Sequence, residues 1–188
     1  MLAEVASRLD ATTTTMAHST IARIIETLQL QPHPEGGFYR QTYQSDEHIS
    51  RLTDAGTATS RRASTGIYYL LHDHAYSAWH RIDADEMWHF YAGDSLLIHR
   101  LDPHGEHSVQ RLGNRLRAPD AAFQFVVPAG HWFAAERDGT EGFSLVGCTV
   151  APGFEFDTFE LADTDTLLRG YPQHEALIRR FSSDRHRA

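Results

Sequence analysis

Three ionisable residues, His80, Glu86 and His131, are spaced so that strand alternation could turn them toward one interior cavity. Side chains two residues apart in a β-strand share a face, so alternation also predicts aromatic neighbours beside them. These neighbours, which we assign as ligand-binding residues, are Trp88, Phe90 and Phe133. Burying a carboxylate and two imidazoles without partners would be unfavourable, so this combination in an aromatic-lined cavity indicates a functional site.

The three residues favour two kinds of chemistry. As metal ligands, His80, Glu86 and His131 suit a divalent ion such as zinc, iron, manganese or nickel, with water completing the coordination shell. Without a metal, either histidine is a candidate general acid or base, because imidazole titrates near neutral pH, and Glu86 would orient or tune one of them. A structural alternative is that His80 and Glu86 hydrogen-bond each other inside a filled barrel. The metal-free cavity is the preferred interpretation.

Two further side chains, Arg40 and Tyr68, are candidate ligand-binding groups. Arg40 follows the pair Gly36 and Gly37, which permits a tight turn ahead of a strand. An arginine on that strand could bind a carboxylate or phosphate of a ligand, although a surface ion pair explains it equally well. Tyr68 could place its hydroxyl in the cavity, but tyrosines on strands commonly serve as half-buried packing residues.

Short β-prone runs between residues 65 and 150 must position these side chains. The runs are separated by turn sequences such as the one at Asp102-Pro103-His104-Gly105. About seven strands at intervals of roughly 8 to 12 residues predict an all-β sandwich or barrel.

Flanking segments complete the expected domain organisation. Apolar residues recur at helical spacing in the stretch TIARIIETLQL, which predicts a short amphipathic helix ahead of the first strand. A second helical stretch follows Tyr171-Pro172. We expect a flexible leader over residues 1–18, a single domain over residues 19–181 and a C-terminal tail over residues 182–188.

Composition excludes several classes of function. The chain has 188 residues with 17 basic against 25 acidic side chains, and a net charge of −8 argues against nucleic acid as a partner. Every basic residue is Arg, which excludes a Schiff-base or phosphate-binding lysine. The single cysteine, Cys148, lies in an apolar run and is expected to be buried. No stretch reaches the ~18 apolar residues of a membrane span, so we expect a cytoplasmic protein with no membrane partner.

The chain resembles the cupins, whose first motif is a glycine, His-x-His, a glutamate and a second glycine. His80 occupies the first histidine position, and Glu86 to Gly93 has the spacing of the motif's second half. Ile82 stands at the second histidine. Pro128-Ala129-Gly130 matches the second motif, but Phe133 stands where that motif has its histidine, and His131 lies two residues earlier. Two of the four usual metal-ligand positions are therefore substituted.

Further segments, including PEGGFYRQTY, HRIDADEMWHFYAGD and APGFEFDTFEL, are similar in detail to the cupin-5 type branch, a domain of unknown function. The resemblance runs from about residue 20 to 181. It implies a double-stranded β-helix, or jelly roll, with short flanking helices, a ligand-sized cavity and a homodimer.

The expected function is binding of a small molecule, with catalysis as a metal-independent isomerase or epimerase on a sugar-like or carbonyl-containing substrate. Sugar-nucleotide epimerases of the cupin superfamily resemble this in outline. The alternatives are a non-catalytic ligand-binding module and a metal-dependent cupin enzyme. No cofactor is certain, and a divalent metal ion stays open as a cofactor.

Overall fold

The computed structural model describes residues 19–52, 58–140 and 142–186. The predicted leader over residues 1–18 therefore lies outside the described residues. The described chain is mostly β-strand, as the sequence predicts. The strands are β1 (Gln31–Pro32), β2 (Phe38–Gln44), β3 (His48–Leu52), β4 (Ala58–Arg62), β5 (Thr65–His72), β6 (Tyr76–Arg81), β7 (Asp85–Gly93), β8 (Ser95–Leu101), β9 (His107–Leu112), β10 (Gln124–Val127), β11 (Trp132–Asp138), β12 (Phe143–Ala151) and β13 (Glu160–Leu161).

Two antiparallel sheets and a separate hairpin contain these strands. One sheet has six strands in the order β1-β2-β5-β12-β7-β10, and the other has five in the order β13-β6-β11-β8-β9. Strands β3 and β4 form the hairpin. Chain neighbours such as β6 and β7 lie in different sheets, which is the crossing pattern of a jelly roll. The predicted double-stranded β-helix is confirmed.

Helices are few and short. Helix α1 covers residues 19–28, α2 is Thr164–Gly170 and α3 is Glu175–Arg180. The α1 helix confirms the predicted amphipathic segment, with Ile21 as its most buried residue. Single turns of 3-10 helix occur at Phe156–Thr158, Pro172–His174 and Ser183–His186. No described helix combines the length and apolar character needed to cross a lipid bilayer.

The space between the sheets is filled at one end. Strand alternation turns large apolar side chains inward from β7, β8 and β11, and these pack without solvent contact. The buried set includes Tyr69, Trp88, Leu96, Ile98, Leu112, Val127, Phe133 and Val146. The indole of Trp88 meets the rings of Tyr69 and Phe133 edge-on, with centroids 5.8 and 6.2 Å apart. This packing closes one half of the barrel and leaves the other half for a cavity.

A second core lies on the outer face of the five-stranded sheet. There α2, α3 and Phe181 cover Trp79, Leu101 and Trp132. Asp163 caps α2 by accepting a hydrogen bond from the backbone N–H of Thr166 at 2.8 Å. The helices thus cover the apolar outer side of this sheet and take no part in the cavity.

Candidate functional site

A cavity of about 180 Å³ lies in the open half of the barrel. Strands β1, β2, β5, β6, β7 and β12 contribute to its wall, together with the loop before β2 and the segment after β12. The lining residues are Gln31, His33, Glu35, Tyr39, Gln41, Thr65, Ile67, Tyr69, His80, Ile82, Glu86, Cys148, Val150, Phe154, Phe156 and Phe159. The wall therefore combines aromatic rings with several titratable groups.

The centre of the polar wall is a buried pair, Glu35 and His80. His80 Nε2 lies 3.0 Å from Glu35 Oε2, and the side-chain exposures are 3% and 7%. The Ser77 hydroxyl donates to Glu35 Oε1 at 3.0 Å. On the opposite side of the imidazole, Nδ1 lies 2.8 Å from the carbonyl oxygen of Ala78. Each polar atom of the pair thus has a defined partner.

These contacts fix how the pair holds protons. A carbonyl oxygen only accepts, so the Nδ1 of His80 carries a proton. Its Nε2 must then accept a proton from the Glu35 carboxyl or donate one to the carboxylate. Burial lowers the pKa of His80 to about 4 and raises the pKa of Glu35, because desolvation disfavours both charged forms. The hydrogen bond between Nε2 and Oε2 therefore contains one shared proton, and the pair that holds it is neutral overall.

The loop before β2 positions Glu35. Gly37 has φ +69°, and a Cβ there would lie 2.6 Å from the carbonyl oxygen of Leu70, so only glycine lets the loop pack this closely on β5. The Tyr69 hydroxyl donates to the Gly36 carbonyl at 2.8 Å and fastens the same loop. Behind the carboxyl, His33 Nδ1 lies 3.6 Å from Glu35 Oε2. Burial lowers the pKa of His33 and raises that of Tyr69.

A second buried carboxyl, Glu86, lies on β7. Its described polar partner is the thiol of Cys148 on β12. Burial, with a smaller contribution from the charge of Glu35, raises the pKa of Glu86 to about 8. Burial also raises the pKa of Cys148, which therefore stays a thiol and is no activated nucleophile. The described residues that line the cavity include no arginine, and the chain has no lysine, so the protein supplies Glu86 with no cation there.

Three phenylalanines form the aromatic wall. Phe154, Phe156 and Phe159 follow β12, and their ring centroids lie 5.0 to 6.4 Å apart. Arg61 holds this segment in place: its guanidinium binds Asp83 at 2.6 Å and also donates to the carbonyl of Gly153. Phe156 remains 54% exposed, which places it where the cavity meets solvent.

The structure brings two of the three predicted catalytic residues to this cavity. His80 and Glu86 both line it, but His131 does not. His131 lies in the turn before β11, near the charges of Arg100 and Asp102, and its Nδ1 is buried without a hydrogen-bond partner in the described structure. The prediction assumed that alternation extends from Phe133 back to His131. His131 instead closes the turn that contains Gly130, since its N–H donates to the carbonyl of Pro128 at 3.3 Å, and β11 begins only at Trp132.

The three candidate metal ligands, His80, Glu86 and His131, are therefore not brought together. Because His131 lies outside the cavity, His80 and Glu86 are the two predicted ligands that remain together. Among the described residues, no group of three or more His, Cys, Asp or Glu side chains is arranged to hold a metal ion. The residues present do not fit a cupin-type metal centre, because Ile82 and the ring of Phe133 occupy the neighbourhood where additional ligands would be needed.

The five predicted ligand-binding residues also lie outside the cavity lining. Trp88 and Phe133 fill the closed half of the barrel, and Phe90 packs against the same cluster. Arg40 points to the other face of β2 and donates to the carbonyl of Leu28 at 3.1 Å, which fastens α1 to the sheet. Tyr68 likewise lies on the outer face, with its ring 5.9 Å from that of Tyr91.

The sequence analysis missed Glu35, His33 and the three phenylalanines, and it selected Tyr68 rather than the neighbouring Tyr69, which lines the cavity. On β2 and β5 strand alternation could have identified the lining residues. Tyr39 and Tyr69 are the chain neighbours of Arg40 and Tyr68, so they lie on the opposite face, which is the one that lines the cavity. Glu35 had no such signal, since it lies in a Pro-Gly loop with no periodicity.

Residues 22–162 match the family Cupin_5, described as cupin superfamily (DUF985). A crystal structure of a protein from Shewanella oneidensis is 43% identical, with 85% of this chain and 94% of that chain aligned and a TM-score of 0.74. A hypothetical protein from Leishmania major is 35% identical, with coverage of 84% and 96% and a TM-score of 0.75. No curated protein matches the chain.

Proposed function

The chain belongs to the Cupin_5 family of the cupin superfamily, and from that premise we propose that it is a metal-independent isomerase or epimerase of a small carbonyl compound. The observation that carries the proposal is the buried Glu35–His80 pair on the wall of a ligand-sized cavity. A carboxyl and an imidazole that share a proton at 3.0 Å can give or take a proton without leaving the site.

The proposed step is abstraction of the proton on the carbon next to the carbonyl. The shared proton moves to His80 Nε2 and the Glu35 carboxylate takes the substrate proton, so the pair gains one positive charge and the substrate becomes an enolate with one negative charge. The two new charges are adjacent in a desolvated cavity, where they attract each other more strongly than they would in water. Return of this proton to the neighbouring carbon on the same face completes an isomerisation, whereas epimerisation takes its new proton from water on the opposite face.

Cavity size restricts the substrate. A protein cavity of about 150 Å³ holds a benzene molecule, so a cavity of about 180 Å³ accommodates a compound of monocyclic size. A monosaccharide or small cyclic ketone fits this range, whereas a sugar nucleotide would have to leave its nucleotide outside. The lack of arginine and lysine in the lining also disfavours phosphorylated or carboxylated compounds, which would meet two buried carboxyls instead of a cation.

Solvent deuterium exchange tests the proposal without knowledge of the product. Enolisation replaces the proton next to a carbonyl with deuterium, which ¹H NMR detects in a panel of monosaccharides and small cyclic ketones that lack phosphate and carboxylate groups, with and without an amino group. We expect protein-dependent exchange in at least one of them, and a loss of about 10²- to 10⁴-fold in Glu35→Gln. The glutamine amide can still donate to His80 Nε2, so this variant removes proton transfer while keeping the hydrogen bond. Binding without exchange across the panel would instead favour the non-catalytic binding module.

We also propose that two copies of the chain form a homodimer. In the described structure, β1 pairs with only Phe38 and Tyr39 of β2, so most of that strand is available at the edge of the sheet. The same sheet carries exposed Tyr43 and Tyr91. Light scattering after size-exclusion chromatography should give twice 21.2 kDa, and a mass of one chain would contradict the proposal.

A further inference from the structure

Glu86 is the buried carboxyl that the proposed reaction does not use. Its side chain faces the cavity with the Cys148 thiol as its described polar partner. We propose that the ligand of this cavity carries an organic ammonium group, which binds between the Glu86 carboxylate and the rings of Phe154, Phe156 and Phe159. This inference names the substrate class of the proposed enzyme. It rests on the proposed function only in assuming that this cavity is the reaction site.

The geometry of the three rings supports a cation. The rings contact one another edge to face, at interplanar angles of 83°, 64° and 74°, and all three line the cavity that Glu86 also lines. The face of each ring carries a negative quadrupole, so aromatic surface beside a buried carboxyl favours an organic cation.

The charges around Glu86 also favour a cationic ligand. The titratable groups that line the cavity with it are the Cys148 thiol, the carboxyl of Glu35, the imidazoles of His33 and His80, and the phenols of Tyr39 and Tyr69. None of these is a permanent cation, and burial raises the pKa of Glu86 with no counter-charge beside it to offset the desolvation. A bound ammonium group would supply that charge and release the Glu86 proton. The net charge of the chain, −8, also favours the approach of a cation.

Choline and its neutral isostere 3,3-dimethylbutan-1-ol are the probes that separate charge from shape. They have nearly the same size and both fit a cavity of monocyclic dimensions. Choline does not titrate, so any pH dependence of its binding comes from the protein. We expect isothermal titration calorimetry at pH 8 to give choline at least about tenfold tighter binding than the isostere. Choline affinity should fall about tenfold per pH unit below pH 8 as Glu86 takes up its proton.

Variants assign the effect to residues. Glu86→Gln should abolish the pH dependence of choline binding and leave the isostere unaffected. Phe156→Leu should weaken choline binding, whereas the control Phe156→Tyr, which keeps the ring at this exposed position, should not. Calorimetry in two buffers of different ionisation enthalpy should show proton release on choline binding at pH 7 in the wild type only.

The inference is overturned if choline and its isostere bind equally, if choline binding does not change between pH 6 and 8, or if neither compound binds. These readouts need no turnover, so they are independent of the deuterium exchange assay. Choline binding without exchange would remove the isomerase and keep the ammonium site. Exchange of neutral ketones without choline binding would keep the isomerase and remove the ammonium site.

Discussion

The pH dependence of stability in a Glu86→Gln variant is the sharpest test of how this cavity is charged. In the folded protein the pKa of Glu86 is raised from its ordinary value of 4.5 to about 8. Between these pH values the unfolded chain loses the proton and the folded chain keeps it, so folding stability contributed by this group falls as pH rises. At about 1.4 kcal/mol per pH unit the full effect is about 5 kcal/mol. Glutamine has nearly the same shape, can accept from the Cys148 thiol, and does not titrate.

The expected result is therefore a difference in unfolding free energy that grows in favour of Glu86→Gln by about 1.4 kcal/mol per pH unit from about pH 5 to 8. Urea denaturation followed by tryptophan fluorescence at four pH values measures it. Glu106→Gln, at an exposed glutamate, is the matched control and should track the wild type at every pH. A Glu86→Gln difference that stays constant with pH would mean that Glu86 ionises normally in the folded protein, and the reasoning from burial would be wrong.

Three further results are expected. Glu35→Ala should unfold at a free energy about 1–3 kcal/mol lower than Glu35→Gln in urea, because alanine leaves the Ser77 hydroxyl and His80 Nε2 without their partner; equal stabilities would contradict the pairing. Phe133→Ala should lose about 3–5 kcal/mol in the same assay because its ring lies in the filled core, and a loss below about 1 kcal/mol would place it on a surface. The Cys148 thiol should react with a bulky disulfide reagent at pH 8 only after urea is added, because burial raises its pKa and the cavity is small; fast labelling of the native protein would mean that the cavity opens widely.

Strand periodicity predicted the fold and part of the site. The runs between residues 65 and 150 became β5 to β12, and the same alternation placed His80 and Glu86 inside. Alternation separates the two faces of a strand but does not say which face is buried when both faces carry apolar residues. Strands β2 and β5 carry aromatic residues on both faces. Arg40 and Tyr68 were therefore assigned to the cavity, although their neighbours Tyr39 and Tyr69 are the residues that line it.

The remaining errors have other physical causes. His131 was misplaced because a turn at Gly130 interrupts the strand, and no periodic pattern reports where a strand begins. Glu35 was missed because its position depends on long-range contacts of an aperiodic loop with Ser77 and His80. Trp88 shares a face with Glu86, as predicted, but lies in the filled half of the barrel. Its packing against Phe133 and Tyr69 determines where along β7 the filled core ends and the cavity begins.

The proposed reaction and the proposed ammonium site together explain why this cavity holds acids and no permanent cation. A permanent arginine beside Glu86 would hold its carboxylate charged and leave no unpaired charge for a ligand to satisfy. The described cavity instead neutralises Glu35 with His80 inside the protein and gives Glu86 only a thiol. One carboxyl is thus held ready for proton transfer, while the other gains a counter-charge only when a cationic ligand enters. The cavity would then select cationic over anionic ligands, because an anionic compound of the same shape would add a second buried charge without a partner.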